Sequence, residues 1–165
     1  MSRTKKIIIL LNLLFLIGYI NWSILAKENT LNKGRLVLLE LAPVDPRSLM
    51  QGDYMSLRYS ISQLPYQNEV AKRGYCIVRA NTRHVAQLQR FQEKLTPLKP
   101  GEFAIKYFAS GRSGFSNVQL GAESFFFEEG SGKKYEQAQY GGLKIDDAGN
   151  SVLFGLYDRN YKRIK

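Results

Sequence analysis

The sequence is short of the residues that build metal and disulfide scaffolds. One cysteine, Cys76, among 165 residues excludes an internal disulfide framework and any multi-cysteine zinc site. One histidine, His84, excludes a centre made of several imidazoles from this chain. No cofactor fingerprint, internal repeat or low-complexity tract is present. Acidic residues are also few, 14 Asp+Glu against 24 Lys+Arg, for a net charge of +10. Such an excess invites a nucleic-acid reading. However, no run of five cations and no basic helix occurs, so nucleic acid is not an expected partner. The length leaves room for one ordinary domain, or one domain and an anchor.

Charge is missing altogether from residues 7–26, IIILLNLLFLIGYINWSILA. A helix of that length spans about 30 Å, the hydrocarbon thickness of a bilayer. Tyr19 and Trp22 fall near its end, where amphipathic rings favour the membrane interface. Cleavage after Ala26 would put Ile24 at the −3 position, a poor fit to a signal peptidase site, and Cys76 lies too far away for a lipobox. The expectation is an uncleaved single-pass anchor over 7–26, with a tail of 1–6 and a polar linker of 27–34. Arg3, Lys5 and Lys6 on the short N-terminal side favour N-terminus inside, which places the remainder outside the cytoplasm.

Residues 35–165 read as one β domain. Arg35 to Leu41 is a strand candidate. Asp53 to Ile61 alternates, with Met55, Leu57, Tyr59 and Ile61 on one face and Tyr54, Ser56, Arg58 and Ser60 on the other. Gly74–Ala80 and Val85–Phe91 flank Asn81-Thr82-Arg83-His84 as a hairpin, and Gly142–Ile145 and Ser151–Tyr157 bracket Asp146 to Asn150 as another. Glu102–Phe108 and the aromatic Ser124–Glu128 add strands. Ser131 to Ala138 is the best helical stretch after the anchor, with Ser131 as N-cap and Gly141-Gly142 beyond its end. The fold class is therefore all-β, a sandwich or small barrel of seven or eight short strands with one short helix, preceded by a single transmembrane helix. Ten Tyr and nine Phe suit such a core, because flat rings pack on pleated faces.

The segment 43–59, PVDPRSLMQGDYMSLRY, has the strongest local logic. Asp45 can cap the amides that follow Pro46, Arg47 to Gln51 make one turn, and Gly52 ends it without a Cβ clash. Asp53 then opens the strand. Gly52-Asp53-Tyr54-x-x-Leu57-x-Tyr59 matches the signature of the GDYXXLXY family of bacterial membrane-anchored proteins at every fixed position. Asp45 and Arg47 upstream resemble that family as well. So do Glu128, Glu129 and Gly130, followed by Tyr135 and Glu136, although Glu128 stands where many members carry Pro. The resemblance implies a hydrophobic N-terminal segment and an extracytoplasmic domain, and similar proteins are often encoded near multi-pass membrane proteins, so the expected partner is a multi-pass membrane protein of the bacterial inner membrane. It implies no reaction.

Three functional readings follow. The first is an accessory protein that binds a membrane partner through Tyr54, Arg58 and the Glu128–Gly130 turn, since Tyr and Arg anchor interfaces. The second is a membrane-tethered hydrolase. Ser48 with Lys72 or Lys106 as a desolvated base would make a Ser–Lys site, but Ser48 lies closer to Gly52-Asp53 than in signal peptidases. Two carboxylates among Asp45, Asp53, Glu123, Glu128, Glu129 and Glu136 could instead act as acid and base. The third is an envelope ligand or stress sensor. His84 reads as a surface turn residue, and Cys76 as a small hydrophobe facing the core.

Overall fold

The computed structural model describes residues 2–42, 54–63, 70–110 and 117–165. The chain begins with one uninterrupted helix, α1 (Arg3–Lys33), of 31 residues. Its large apolar side chains from Ile7 to Leu25 are bare, because no other part of the described chain covers them. The stretch expected to be a linker therefore continues the helix to Lys33. No Gly or Pro interrupts 27–33, and extending an existing helix costs far less than starting one. Tertiary contact holds the last turn in place. Thr30, buried, donates its hydroxyl to Asp146 Oδ2 at 2.9 Å. The amide of Gly34 bonds back to the Thr30 carbonyl at 2.8 Å. A Cβ on Gly34 would lie 2.3 Å from that carbonyl oxygen and 3.0 Å from the Ile145 amide nitrogen. Only glycine lets the helix end press so closely on the sheet.

The domain contains, in chain order, β1 (Arg35–Glu40), β2 (Tyr54–Ser56), β3 (Arg73–Ala80), β4 (Ala86–Gln92), β5 (Glu102–Ser110), β6 (Asn117–Gln119), β7 (Ser124–Phe126), α2 (Gly132–Tyr135), β8 (Tyr140–Ile145) and β9 (Ser151–Tyr157). Among the described residues these nine strands, against the expected seven or eight, form three antiparallel sheets: β1-β8-β9, β2-β7 and β4-β3-β5-β6. None of them closes into a barrel. Val37, Leu39, Leu57, Tyr59, Cys76, Val78, Ile105, Leu143 and Leu156 make a common core between the sheets.

Both expected hairpins are present, and a shared loop device explains them. The carboxamide or carboxylate oxygen Oδ1 of Asn81, Asp146 and Asp158 each accepts two amides of its own loop: Arg83 and Val85, Ala148 and Asn150, Asn160 and Lys162. Each loop needs one left-handed residue. Gly149 supplies it at φ 79°, but His84 (62°) and Tyr161 (64°) supply the other two.

Three expectations are corrected. Of the alternating segment, the described residues 54–61 form a strand over Tyr54–Ser56 and a single bridge from Tyr59 to Leu41, and then enter a 3-10 turn at Ser60–Ser62. The stretch 131–138 keeps one helical turn, Gly132–Tyr135, and Ser131 makes no side-chain cap. Its hydroxyl donates instead to the Glu128 carbonyl at 2.6 Å. The strand expected from Gly142 begins earlier, at Tyr140, so that Gly141 lies inside β8 with Gly142 rather than marking a helix end. A Cβ on Gly141 would meet the Tyr59 ring at 2.8 Å, so the bare backbone is what seats that ring.

Candidate functional site

The segment that carries the sequence signature divides its side chains between core and surface. Met55, Leu57, Tyr59 and Ile61 are buried, as the alternation requires, while Tyr54, Ser56 and Arg58 are exposed. Tyr59 is wholly enclosed and donates its hydroxyl to the Ala122 carbonyl at 2.6 Å. Burial, and then the nearby Glu123 carboxylate, push its phenol far above the ordinary tyrosine range. Tyr59 thus stays neutral and serves as a buried hydrogen-bond donor. The amide of Leu57 donates to the Glu123 carbonyl at 2.7 Å, and the Glu123 carboxylate accepts the amides of Leu120 and Gly121. Leu57 and Tyr59 therefore bind β2 to the segment ahead of β7.

The exposed side of β2 is different. Tyr54 pairs in register with Phe126 of β7, their ring centroids 5.8 Å apart. Phe126 is 74% exposed and Tyr54 43%, so the pair forms a bare aromatic platform. Behind it, Phe125, Phe127 and Tyr135 stack on one another at 4.9 to 6.4 Å. That cluster explains the position of Tyr135 and hence of α2. Beside β2 runs a groove of about 420 Å³, lined among others by Glu40, Met55, Arg58, Tyr135, Glu136 and Gln139. A second cleft, about 430 Å³, lies on the other side of Arg58, between Ser62 and Gln119. Aromatic faces, one guanidinium and two carboxylates around a partly apolar groove make recognition chemistry.

Asp45, Arg47, Ser48, Gly52 and Asp53 lie outside the described residues. Lys72 and Lys106 do not: both are exposed, and Lys106 Nζ donates to Asn150 Oδ1 at 2.7 Å. A catalytic lysine base needs desolvation, which neither has. Glu128, Glu129 and Gly130 form an exposed turn with Gly130 at φ 78°, and Glu136 is exposed at the groove. Among the described residues, no three His, Cys, Asp or Glu gather as a metal site. Cys76 is fully buried, and desolvation pushes its thiol up to about 12. His84 is exposed in its hairpin turn.

Two features escape sequence reasoning. Phe126 is one of three consecutive phenylalanines, and only the pairing with Tyr54 shows which one faces out. A second aromatic group joins Tyr140 to Tyr161 at 5.2 Å, with Arg83 over the Tyr161 ring at 5.4 Å. Hydrogen bonding from Arg83, and then Tyr140, holds the Tyr161 phenol below its ordinary range. The third loop of the shared device makes this contact, and only its Asp158 could have signalled it. A family model described as "GDYXXLXY protein" matches residues 16–156. No curated protein and no solved structure matches the chain.

Proposed function

The chain belongs to the GDYXXLXY family, and from that premise we propose that it is a membrane-anchored accessory protein whose β domain binds a multi-pass membrane protein. The anchor is the apolar part of α1, residues 7–26, in the bacterial inner membrane. Its N-terminus is inside and the domain is extracytoplasmic. The apolar helix supports the membrane association by length and composition. The three cations ahead of it support the orientation.

The observation that carries the binding role is the bare Tyr54–Phe126 pair beside the Arg58 groove. An exposed aromatic pair next to a guanidinium has the composition of an interface hot spot. The exposed Glu128–Gly130 turn begins two residues after Phe126 and extends this surface. Crosslinking in intact membranes followed by purification in mild detergent tests the reading. A discrete multi-pass partner should be recovered with the wild type and lost with Tyr54→Ser/Phe126→Ser. Recovery of the protein alone at several detergent strengths would overturn it.

A further inference from the structure

Five cations stand where the helix enters the domain. Lys27 and Lys33 are exposed on the last turns of α1. Arg35 opens β1 with its guanidinium 5.6 Å from the centre of the Phe103 ring. Lys144, paired next to it in β8, donates to the Gly34 carbonyl at 3.0 Å and lies 5.6 Å from the Phe154 ring. Lys106 reaches the tip of the β8–β9 hairpin, the same tip that Thr30 touches through Asp146. Among the described residues the one ion pair within 4.0 Å is Arg90–Glu102, so none of the five has a carboxylate partner there. The acids nearby are Glu28, Asp146 and Asp147. Asp146 is already engaged by Thr30, Ala148 and Asn150.

The apolar run ends at Ala26, and Lys33 lies seven residues further along the helix. Seven helical residues rise about 10 Å. Each interfacial layer of a bilayer is about 5–8 Å deep beyond the hydrocarbon. Lys27 therefore sits within the head-group layer. Lys33, Arg35, Lys106 and Lys144 lie just above it, within reach of long side chains. The tight Gly34 junction and the Thr30–Asp146 bond keep the domain from swinging away. The rings beneath Arg35 and Lys144 restrict these side chains, so little freedom is lost on contact.

We propose that this collar binds anionic phospholipid head groups and seats the domain on the bilayer surface. The proposal rests on the anchor reading above, but not on the side of the membrane. Each cation near an anionic surface favours contact by about fivefold at low salt. The collar, with three acids among its five cations, should select anionic over zwitterionic lipid by several-fold.

Trp22, the single tryptophan, lies four residues before the end of the apolar run and is exposed on the helix. Its fluorescence reports which lipids surround it. The full chain is reconstituted in mixed vesicles carrying brominated phosphatidylglycerol or brominated phosphatidylcholine as quencher. The anionic lipid should quench Trp22 several-fold more effectively at low salt, and the preference should shrink at high salt. Arg35→Gln/Lys106→Gln should cut the preference at least by half, and Lys144→Gln, read in the same way, should lower it independently. Arg83→Gln, far from the helix, should leave it unchanged. Equal quenching by the two lipids would overturn the proposal. So would a preference that survives both sets of domain substitutions in folded protein, since the helix lysines alone would then account for it. Quenching by neither lipid would remove the anchor itself.

Discussion

The family signature contains two fixed tyrosines to which the structure gives opposite environments, and substitution separates them. Tyr59→Phe removes only the hydroxyl that donates to the Ala122 carbonyl at 2.6 Å inside a fully enclosed site. The ring still fills the space above Gly141, so no large cavity forms. What is lost is one buried hydrogen bond, and what remains is a carbonyl without that partner. Together these cost about 1–3 kcal/mol. For a domain of this size that is a drop of about 2–4 °C in Tm per kcal/mol. Tyr54→Phe removes a hydroxyl from a side chain that is 43% exposed and should change stability by less than about 0.5 kcal/mol. Urea unfolding of the full chain in detergent, followed by tyrosine fluorescence and far-UV circular dichroism, measures both. The expected result is a lower midpoint for Tyr59→Phe with an unchanged slope, and no shift for Tyr54→Phe. A neutral Tyr59→Phe, or equal losses at the two positions, would refute the division of the signature into a core half and a surface half.

Two further outcomes follow from local geometry. His84→Gly should raise stability by about 1 kcal/mol, because the left-handed backbone at φ 62° carries a penalty that glycine lacks. The same unfolding assay reads it, and a loss would show that the imidazole makes a compensating contact. Glu102 is paired with Arg90 at 2.7 Å and also accepts the Lys99 amide; these hold its carboxyl down to about 2, from an ordinary 4.5. A carboxyl lowered by folding contributes stability that is complete above the ordinary value and is lost as pH falls toward the lowered one. Acid titration of stability should therefore show a decline between about 4.5 and 2 that is shallower in Glu102→Gln, whose stability at neutral pH is already reduced.

Much of this fold was legible because the signals were local. The hairpin loops at Asn81 and Asp146 are closed by their own side chains, so composition alone marks them. Burial of Met55, Leu57 and Tyr59 followed from period two. The continuation of the strand through Leu57 to Ile61 did not, because a strand exists only where a partner supplies a ladder of hydrogen bonds, and β7 pairs no further than Ser56. The polar stretch 27–33 resembled a linker for a similar reason. Its helix is propagated from the apolar run and pinned by Asp146, 116 residues away from Thr30. Gly141-Gly142 looked like a helix terminus, although the pair is flat to admit rings from Tyr59 and Tyr157. At the candidate site, alternation identified Tyr54 and Arg58 as surface residues. The run Phe125-Phe126-Phe127 concealed the partner ring, since three identical side chains carry no phase.

The rigid junction also bears on what kind of partner the domain can meet. The helix enters beside Arg35, and the groove lies at the other end of β1, beside Glu40. Six strand residues span as much as about 20 Å, and the helical stalk adds about 10 Å beyond the apolar run. With the helix end fixed by Gly34 and Thr30, the domain has little freedom to fold its platform down onto the bilayer. On the proposed anchoring, if β1 runs away from the bilayer, a partner made only of transmembrane helices and tight turns would pass beneath Tyr54 and Phe126 without touching them. The surface therefore suits a membrane protein whose extramembrane loops or domain rise to that height. A partner lacking such a segment, if crosslinking recovered one, would have to contact α1 itself, and Tyr54→Ser/Phe126→Ser would leave that association intact.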